Sequence, residues 1–319
     1  MSNHSFFVDK KGNRKVIYNN ISSGSVMNYY SEIKNKLIEN ENYARIKDYS
    51  KERYKIQTYY EVGKILSEAG KHYGEGIIKK YSEKLMNDIN KKYNVRYLFD
   101  IRRLYYFLKV HPVGAFLSMS HYRILFSLKD KNEINYYINQ TQSRNLSKRD
   151  LQRIIKDNEY ERLDEATKIK LINQEQPTIQ ESIKNPIILK SRKTFNKVTE
   201  KDLQNIILEN IPLFLEELGN KFSFIKNEYK IKLGDRYNYI DLLLYNIEFN
   251  CYVVIELKVT ELKKEHIGQI ETYMNYIDKN LKTIIQDKTI GIIICKKDNQ
   301  FIMEYCSDQR ILSREYILK

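Results

Sequence analysis

The chain has 319 residues, 42% hydrophobic and 30% charged, with four prolines, no tryptophan and a formal net charge of +14. That length holds two domains, and that composition excludes a disordered or collagen-like chain. No apolar run approaches bilayer length, the first twenty residues turn polar after Phe6 and Phe7, and Cys251, Cys295 and Cys306 lack metal-ligand spacing, so a cytoplasmic, non-membrane protein with reduced thiols is expected.

The charge is uneven. Residues 187–319 carry 21 basic and 19 acidic side chains, net +2, which leaves +12 of the +14 on residues 1–186. A basic N-terminal part favours an anionic partner. Residues 1–24 read as an arm or a small strand pair. From about Met27, Tyr30, Ile33 and Leu37, then Ile56, Tyr59, Val62, Ile65 and Leu66, recur at helical spacing. Gly70, Gly74 and Gly76 mark the stop. The segments SEKLMNDINKKY and RYLFDIRRLYYFL are amphipathic on either side of a break at Asn94 and Val95, which resembles a helix-turn-helix. In that arrangement the second helix offers its early polar residues to bases and phosphates. Arg96, Arg102 and Arg103, with Tyr97 and Lys91 or Lys92 beside them, are then the DNA-contact candidates. A helical hairpin with a charged outer face is the competing reading.

After Pro112, LSMSHYRILFSL and NLSKRDLQRIIKD read as capped helices, with Ser147 and Asp150 in capping-box spacing and His121 near a helix start. Residues 25–172 are therefore expected to form an all-α domain. Residues 173–195, polar and holding Pro177 and Pro186, read as a linker, and 196–319 as a second domain.

In the second domain Thr199 and Asp202 cap a helix that Pro212 kinks or splits. Glu217 falls in its apolar arc, where a carboxylate needs a partner. Phe222–Leu233 alternates like a strand, and Gly234 and Asp235 turn the chain. Tyr239 to Val259 then holds two apolar runs joined by a turn, interrupted by Asp241, Glu256 and Lys258. A hairpin centred between Glu248 and Phe249 sets Asp241 against Glu256, with all three side chains on one face. Adjacent carboxylates repel unless a cation or proton sits between them. Two of them with a lysine suit phosphodiester hydrolysis assisted by a hard divalent cation. A wet strand face would carry the same residues, but the flanking LLL and VVI read as strands covered on both sides. A helix over 261–278 follows, with Gln269 and Tyr273 one turn apart, then a buried strand over 289–295 and a final edge strand. The order is αβββαβ in a mixed sheet, and the whole chain is α+β.

In this order Glu217, Asp241, Glu256-Leu257-Lys258, Gln269 and Tyr273 resemble the PD-(D/E)XK nuclease superfamily. The segments FLEELG, YIDLLLYN, VVIELK and HIGQIETYMNYID resemble the YhcG-like nucleases, and YYEVGKIL, YGEGIIKKYSEKL and LSMSHYRIL resemble the helical domain preceding the nuclease there. Ile240 stands where the superfamily name has proline, and Met119 and Leu146 where that family often has tryptophan. The resemblance implies a restriction-endonuclease-like core in which Asp241, Glu256 and the Leu257 carbonyl bind Mg²⁺ or Mn²⁺. It implies that Glu217 completes the site, Lys258 orients the attacking water, and Gln269 positions Lys258 or a phosphate. The expected activity is a metal-dependent endonuclease acting on DNA, branched and foreign DNA included, with a homodimer and an RNA substrate left open. A non-catalytic nucleic-acid-binding protein with a degenerate nuclease fold, and an assembly protein, are the alternatives. No P-loop pattern is present, so no ATP use is expected.

Overall fold

The computed structural model describes residues 6–8, 14–16, 28–44, 51–111, 117–173, 175–219 and 221–319. They fall into two compact units, residues 1–126 and 127–319.

The first unit opens with an antiparallel pair, β1 (Phe6–Val8) and β2 (Arg14–Val16), with Phe6 opposite Val16. This is the strand pair read from the sequence; the rest of residues 1–24 lie outside the described residues. Helices α1 (Tyr29–Tyr43), α2 (Lys51–Tyr73), α3 (Gly76–Asp88), α4 (Val95–Val110) and α5 (Met119–Leu125) follow. Asn94 caps α4 by accepting the Tyr97 N–H, which places the break between α3 and α4 where the sequence puts it. α2 runs through Gly70 and ends before Gly74, whose φ is +77°, within the glycine stretch read as its stop. Gly63 lets α2 and α4 cross closely: a Cβ there would lie 2.5 Å from the Ile101 carbonyl oxygen.

The second unit takes in residues 127–172, read from the sequence as capped helices of the first domain, and 173–195, read as a linker. They form α6 (Lys131–Ser143), α7 (Lys148–Lys156), α8 (Glu165–Ile172), α9 (Ile179–Ser182) and β3 (Ile187–Leu189). Charge pairing and three buried residues of β3 outweigh the linker-like composition here.

The helix expected from Thr199 is split at Asn210 into α10 (Glu200–Glu209) and α11 (Ile211–Leu218), with Pro212 in the first turn of α11. Then come β4 (Phe222–Leu233), β5 (Arg236–Asn246), β6 (Cys251–Glu261), α12 (Lys264–Asn280), β7 (Asp287–Lys297), α13 (Gln300–Glu304) and β8 (Ile311–Leu318). The sheet order is β3-β8-β7-β6-β5-β4. β4, β5 and β6 pair antiparallel, and β6–β7, β7–β8 and β3–β8 pair parallel. The expected helix, three strands, helix, strand order is therefore present in a mixed sheet. β8 is not the edge it was expected to be, because β3 covers it, with Ile187 opposite Tyr316.

One sheet face packs Leu242, Leu244, Val253, Ile255 and Leu257 against Leu203, Ile206 and Phe214 of α10 and α11. The other packs Leu243, Val254 and Ile293 against Ile270, Met274 and Ile277 of α12. Both faces of β6 and of the inner half of β5, from Leu242 on, are thus covered, so a charge there sits in a low-dielectric setting.

Candidate active site

β5 and β6 pair regularly from Asn246 opposite Cys251 to Leu242 opposite Ile255. One step further in that register, Asp241 stands against Glu256. There the Asp241 carboxylate itself accepts the Leu257 N–H at 2.7 Å. The carbonyl of Asp241 accepts from the Gln204 side chain of α10 at 3.2 Å. On β6, Glu256 Oε1 accepts from Lys258 Nζ at 2.8 Å, and Lys258 Nζ lies 3.7 Å from Glu200 Oε1 in the first turn of α10. Glu256 and Lys258 are 2% and 8% exposed. Glu256 Oε2 is buried without a hydrogen-bond partner. On α12, Gln269 donates to the Tyr273 hydroxyl at 3.0 Å rather than to Lys258.

The electrostatics follow from burial. Burial pushes Glu256 up to about 7, and the Asp241 charge adds to it against the opposing pull of Lys258. Burial likewise raises Asp241, although the Leu257 N–H and Lys258 oppose it. Burial alone would lower Lys258, but its bond to Glu256 and the charges of Glu256, Glu200 and Asp241 hold it above the usual lysine value. Two carboxylates and one ammonium thus share a largely buried setting. Hard oxygen donors with a buried oxygen still seeking a partner fit a hard divalent cation such as Mg²⁺ or Mn²⁺. Among the described residues no group of three or more His, Cys, Asp or Glu side chains stands ready to hold a metal ion. The fit therefore rests on Asp241 and Glu256.

A family model described as the YhcG PDDEXK nuclease domain matches residues 180–318, and one described as the DUF1016 N-terminal domain matches residues 32–162. The chain is thus similar to those two domains, in that order. It is 24% identical over 283 residues to "Putative nuclease YhcG" of Escherichia coli (strain K12), across 75% of this chain and 76% of that protein. Among solved structures, a repair endonuclease from Pyrococcus abyssi is similar over 40% of this chain and 49% of its own, at 16% identity and a TM-score of 0.27. An EndoMS–dsDNA complex is similar over 40% of this chain and 47% of its own, at 17% identity and a TM-score of 0.28. The chain spans about half the length of those two solved proteins.

Within the nuclease domain, Glu217 is not brought to the Asp241–Glu256 group. Its carboxylate accepts from Arg162 at 2.6 and 3.3 Å and from the Ile188 N–H of β3 at 3.1 Å. Burial alone would raise it, but Lys184 and Arg162 hold it below the usual glutamate value. The helical wheel correctly marks Glu217 as buried and in need of a partner; that partner is an arginine. The acid that does approach Lys258 is Glu200, which the sequence reading passed over as a first-turn residue of a capped helix. Its signal was its place directly after the capping Thr199, which sets it at the N-terminal end of α10. His266 was also missed. It closes a capping box on α12, with Nδ1 accepting the Lys263 N–H at 3.1 Å, and burial and Lys258 lower its pKa.

In the DUF1016 domain the DNA-contact candidates have divided roles. Arg102 pairs with Glu75 at 2.7 Å, and the Tyr97 hydroxyl donates to Tyr59 at 3.0 Å. Both are thus engaged within the helical unit. Lys92 forms an ion pair with Glu41, and Lys91 is exposed. Arg96, Tyr97 and Arg103 line an open cleft of about 430 Å³ with Arg123, Asp100 and Phe126. Arg103 donates to the Phe126 carbonyl, and Arg123 lies 4.8 Å over the Tyr97 ring. Met119 and Leu146, the positions where the resembled family often has tryptophan, are buried, 4% and 9% exposed. No helix among the described residues is long and apolar enough to cross a membrane.

Proposed function

We propose that this chain is an endonuclease that hydrolyses DNA phosphodiester bonds with Mg²⁺ or Mn²⁺ held by Asp241 and Glu256, while the basic DUF1016 domain binds DNA. The observation that carries this reading is the unpartnered Glu256 Oε2, buried beside Asp241 and Lys258. A structural carboxylate is satisfied, as Glu217 is; one that awaits a cation is not. When bound, the cation offsets both carboxylates, lowers the pKa of a water molecule and stabilises charge on the phosphate. Lys258, held ionised by Glu256 and Glu200, would donate N–H hydrogen bonds from Nζ to the attacking water and the phosphate oxygens. Gln269 holds the Tyr273 hydroxyl, and α12 packs on the sheet face that carries Leu243 and Val254. In the DUF1016 domain, Arg96, Arg103 and Arg123 around their cleft supply phosphate contacts.

The test is a cleavage screen on linear, branched and single-stranded DNA and on RNA, with Mg²⁺, Mn²⁺ or chelator. Wild-type cleavage with either metal, falling about 10³-fold in Asp241→Ala and Lys258→Ala, supports the reading. Salt-sensitive binding without cleavage under any metal supports the degenerate-nuclease alternative. Cleavage that survives Asp241→Ala removes Asp241 from the site.

A further inference from the structure

Resting on that reading, we infer that the outer half of the β4–β5 hairpin is a platform for an unpaired DNA strand leading away from the carboxylate pocket. β5 pairs with β4 along its whole length, from Arg236 opposite Leu233 to Asn246 opposite Phe222. With β6 it pairs only from Leu242 onward. Residues 236–241 therefore run with β4 as a two-stranded ribbon, and β4 is the sheet's edge strand.

One face of the ribbon is packed. Ile231 and Ile240 belong to the core under α12, with Tyr229 and Leu233 against it. Among the described residues the opposite face has no such cover. On it Lys230 stands across from Tyr239 and Lys232 across from Tyr237. Tyr237 and Tyr239 are 56% and 52% exposed, and Lys230 Nζ lies 3.8 Å from the Tyr237 ring centroid. Exposed aromatics interleaved with ammonium groups suit a nucleic-acid strand: bases stack on the rings and phosphates meet the lysines.

Charge and position select this occupant. Lys230 and Lys232 are exposed on this face, with exposed Lys226 and Arg236 nearby on the hairpin, against Glu228 and Asp235. Of those two acids, Glu228 is paired with Lys201 at 2.6 Å. The ribbon also continues the site. Tyr239 is two residues from Asp241, roughly 7 Å along an extended strand, and Tyr237 lies roughly twice as far. The first turn of α10 touches both regions, Glu200 near Lys258 and Lys201 on Glu228. Paired bases in a duplex are already stacked, so this surface selects a substrate with an unpaired segment beside the cut.

The test uses the full chain in chelator, with labelled oligothymidine and the same strand annealed into a duplex. The Tyr237→Ala/Tyr239→Ala chain should bind oligothymidine about 10–100-fold more weakly, with duplex binding within about twofold of wild type. Tyr237→Phe/Tyr239→Phe should bind like wild type, because phenyl rings still stack. Lys230→Ala/Lys232→Ala should reduce the salt dependence of strand binding by about one to two phosphate contacts. Wild-type strand binding by the alanine pair, or an equal loss on duplex, overturns the platform. Cleavage is scored separately with Mn²⁺. Loss of strand binding in a chain that cleaves nothing keeps the platform and removes the nuclease reading; unchanged binding in a chain that cleaves removes the platform alone.

Discussion

Glu217 and Glu256 are both glutamates of the nuclease domain, 8% and 2% exposed, yet they sit in opposite electrostatic settings. Glu217 takes two guanidinium bonds and a backbone N–H, and its pKa lies below the usual value. Glu256 is raised well above it by burial, with the facing Asp241 charge adding to the rise and its one ammonium bond only partly offsetting it, and among the described residues one of its oxygens has no partner. Burial is shared and cannot be what separates them. The sign and number of their partners do: Glu217 is satisfied by Arg162 and the Ile188 N–H, whereas one Glu256 oxygen has no partner among the described residues.

The comparison breaks most clearly at Glu217. Glu217→Ala leaves Arg162 buried with only carbonyl partners, Pro186 and Asp157, and should destabilise the chain by about 3–5 kcal/mol in urea unfolding. A loss under about 1 kcal/mol would show that the Arg162–Glu217 pair is no clamp.

Glu256→Gln should do the reverse in metal-free protein at pH 8. Ionised Glu256 is a cost to the fold, so the variant should gain about 1–3 kcal/mol while losing cleavage. The pH signs also oppose. Because the folded pKa of Glu256 is raised, its favourable contribution is full below about pH 4.5 and is lost as pH rises through about 7. Glu217, with a lowered folded pKa, contributes above its unfolded value and loses that contribution as pH falls through its folded pKa. Melting curves across pH for wild type, Glu256→Gln and Glu217→Gln should show the high-pH loss missing from the first variant and the low-pH loss missing from the second. A Glu256→Gln profile that tracks wild type above pH 6 contradicts the assignment.

The smallest effect is expected at Glu200, exposed and 3.7 Å from Lys258. Glu200→Gln should lower cleavage about tenfold with little change in melting temperature. A loss as deep as that of Asp241→Ala would make Glu200 a ligand in its own right.

Much of this was legible in the residues. Period-two alternation and a symmetric hairpin centre placed β4, β5 and β6, because strand register has few solutions once both faces are apolar. The Asp241–Glu256 pairing followed from that count alone. Glu217 shows where such counting ends. A helical wheel tells that a carboxylate is buried, but the wheel has no view of Arg162, 55 residues earlier. Residues 173–195 looked like a linker because composition reports polarity, whereas the pairing of β3 with β8 is a contact between the middle and the end of the chain.

The amino-acid order by itself determined the local elements, the caps at Asn94 and Thr199, and the one hairpin that sets two acids opposite each other, since these depend on neighbours within a few residues or on a two-strand register. Only the tertiary structure decided which buried acid meets an arginine and which is left with an empty oxygen, and which tyrosines of the hairpin stay uncovered. Those outcomes depend on distant segments arriving at the same place, and desolvation and Coulomb energy act on that place alone.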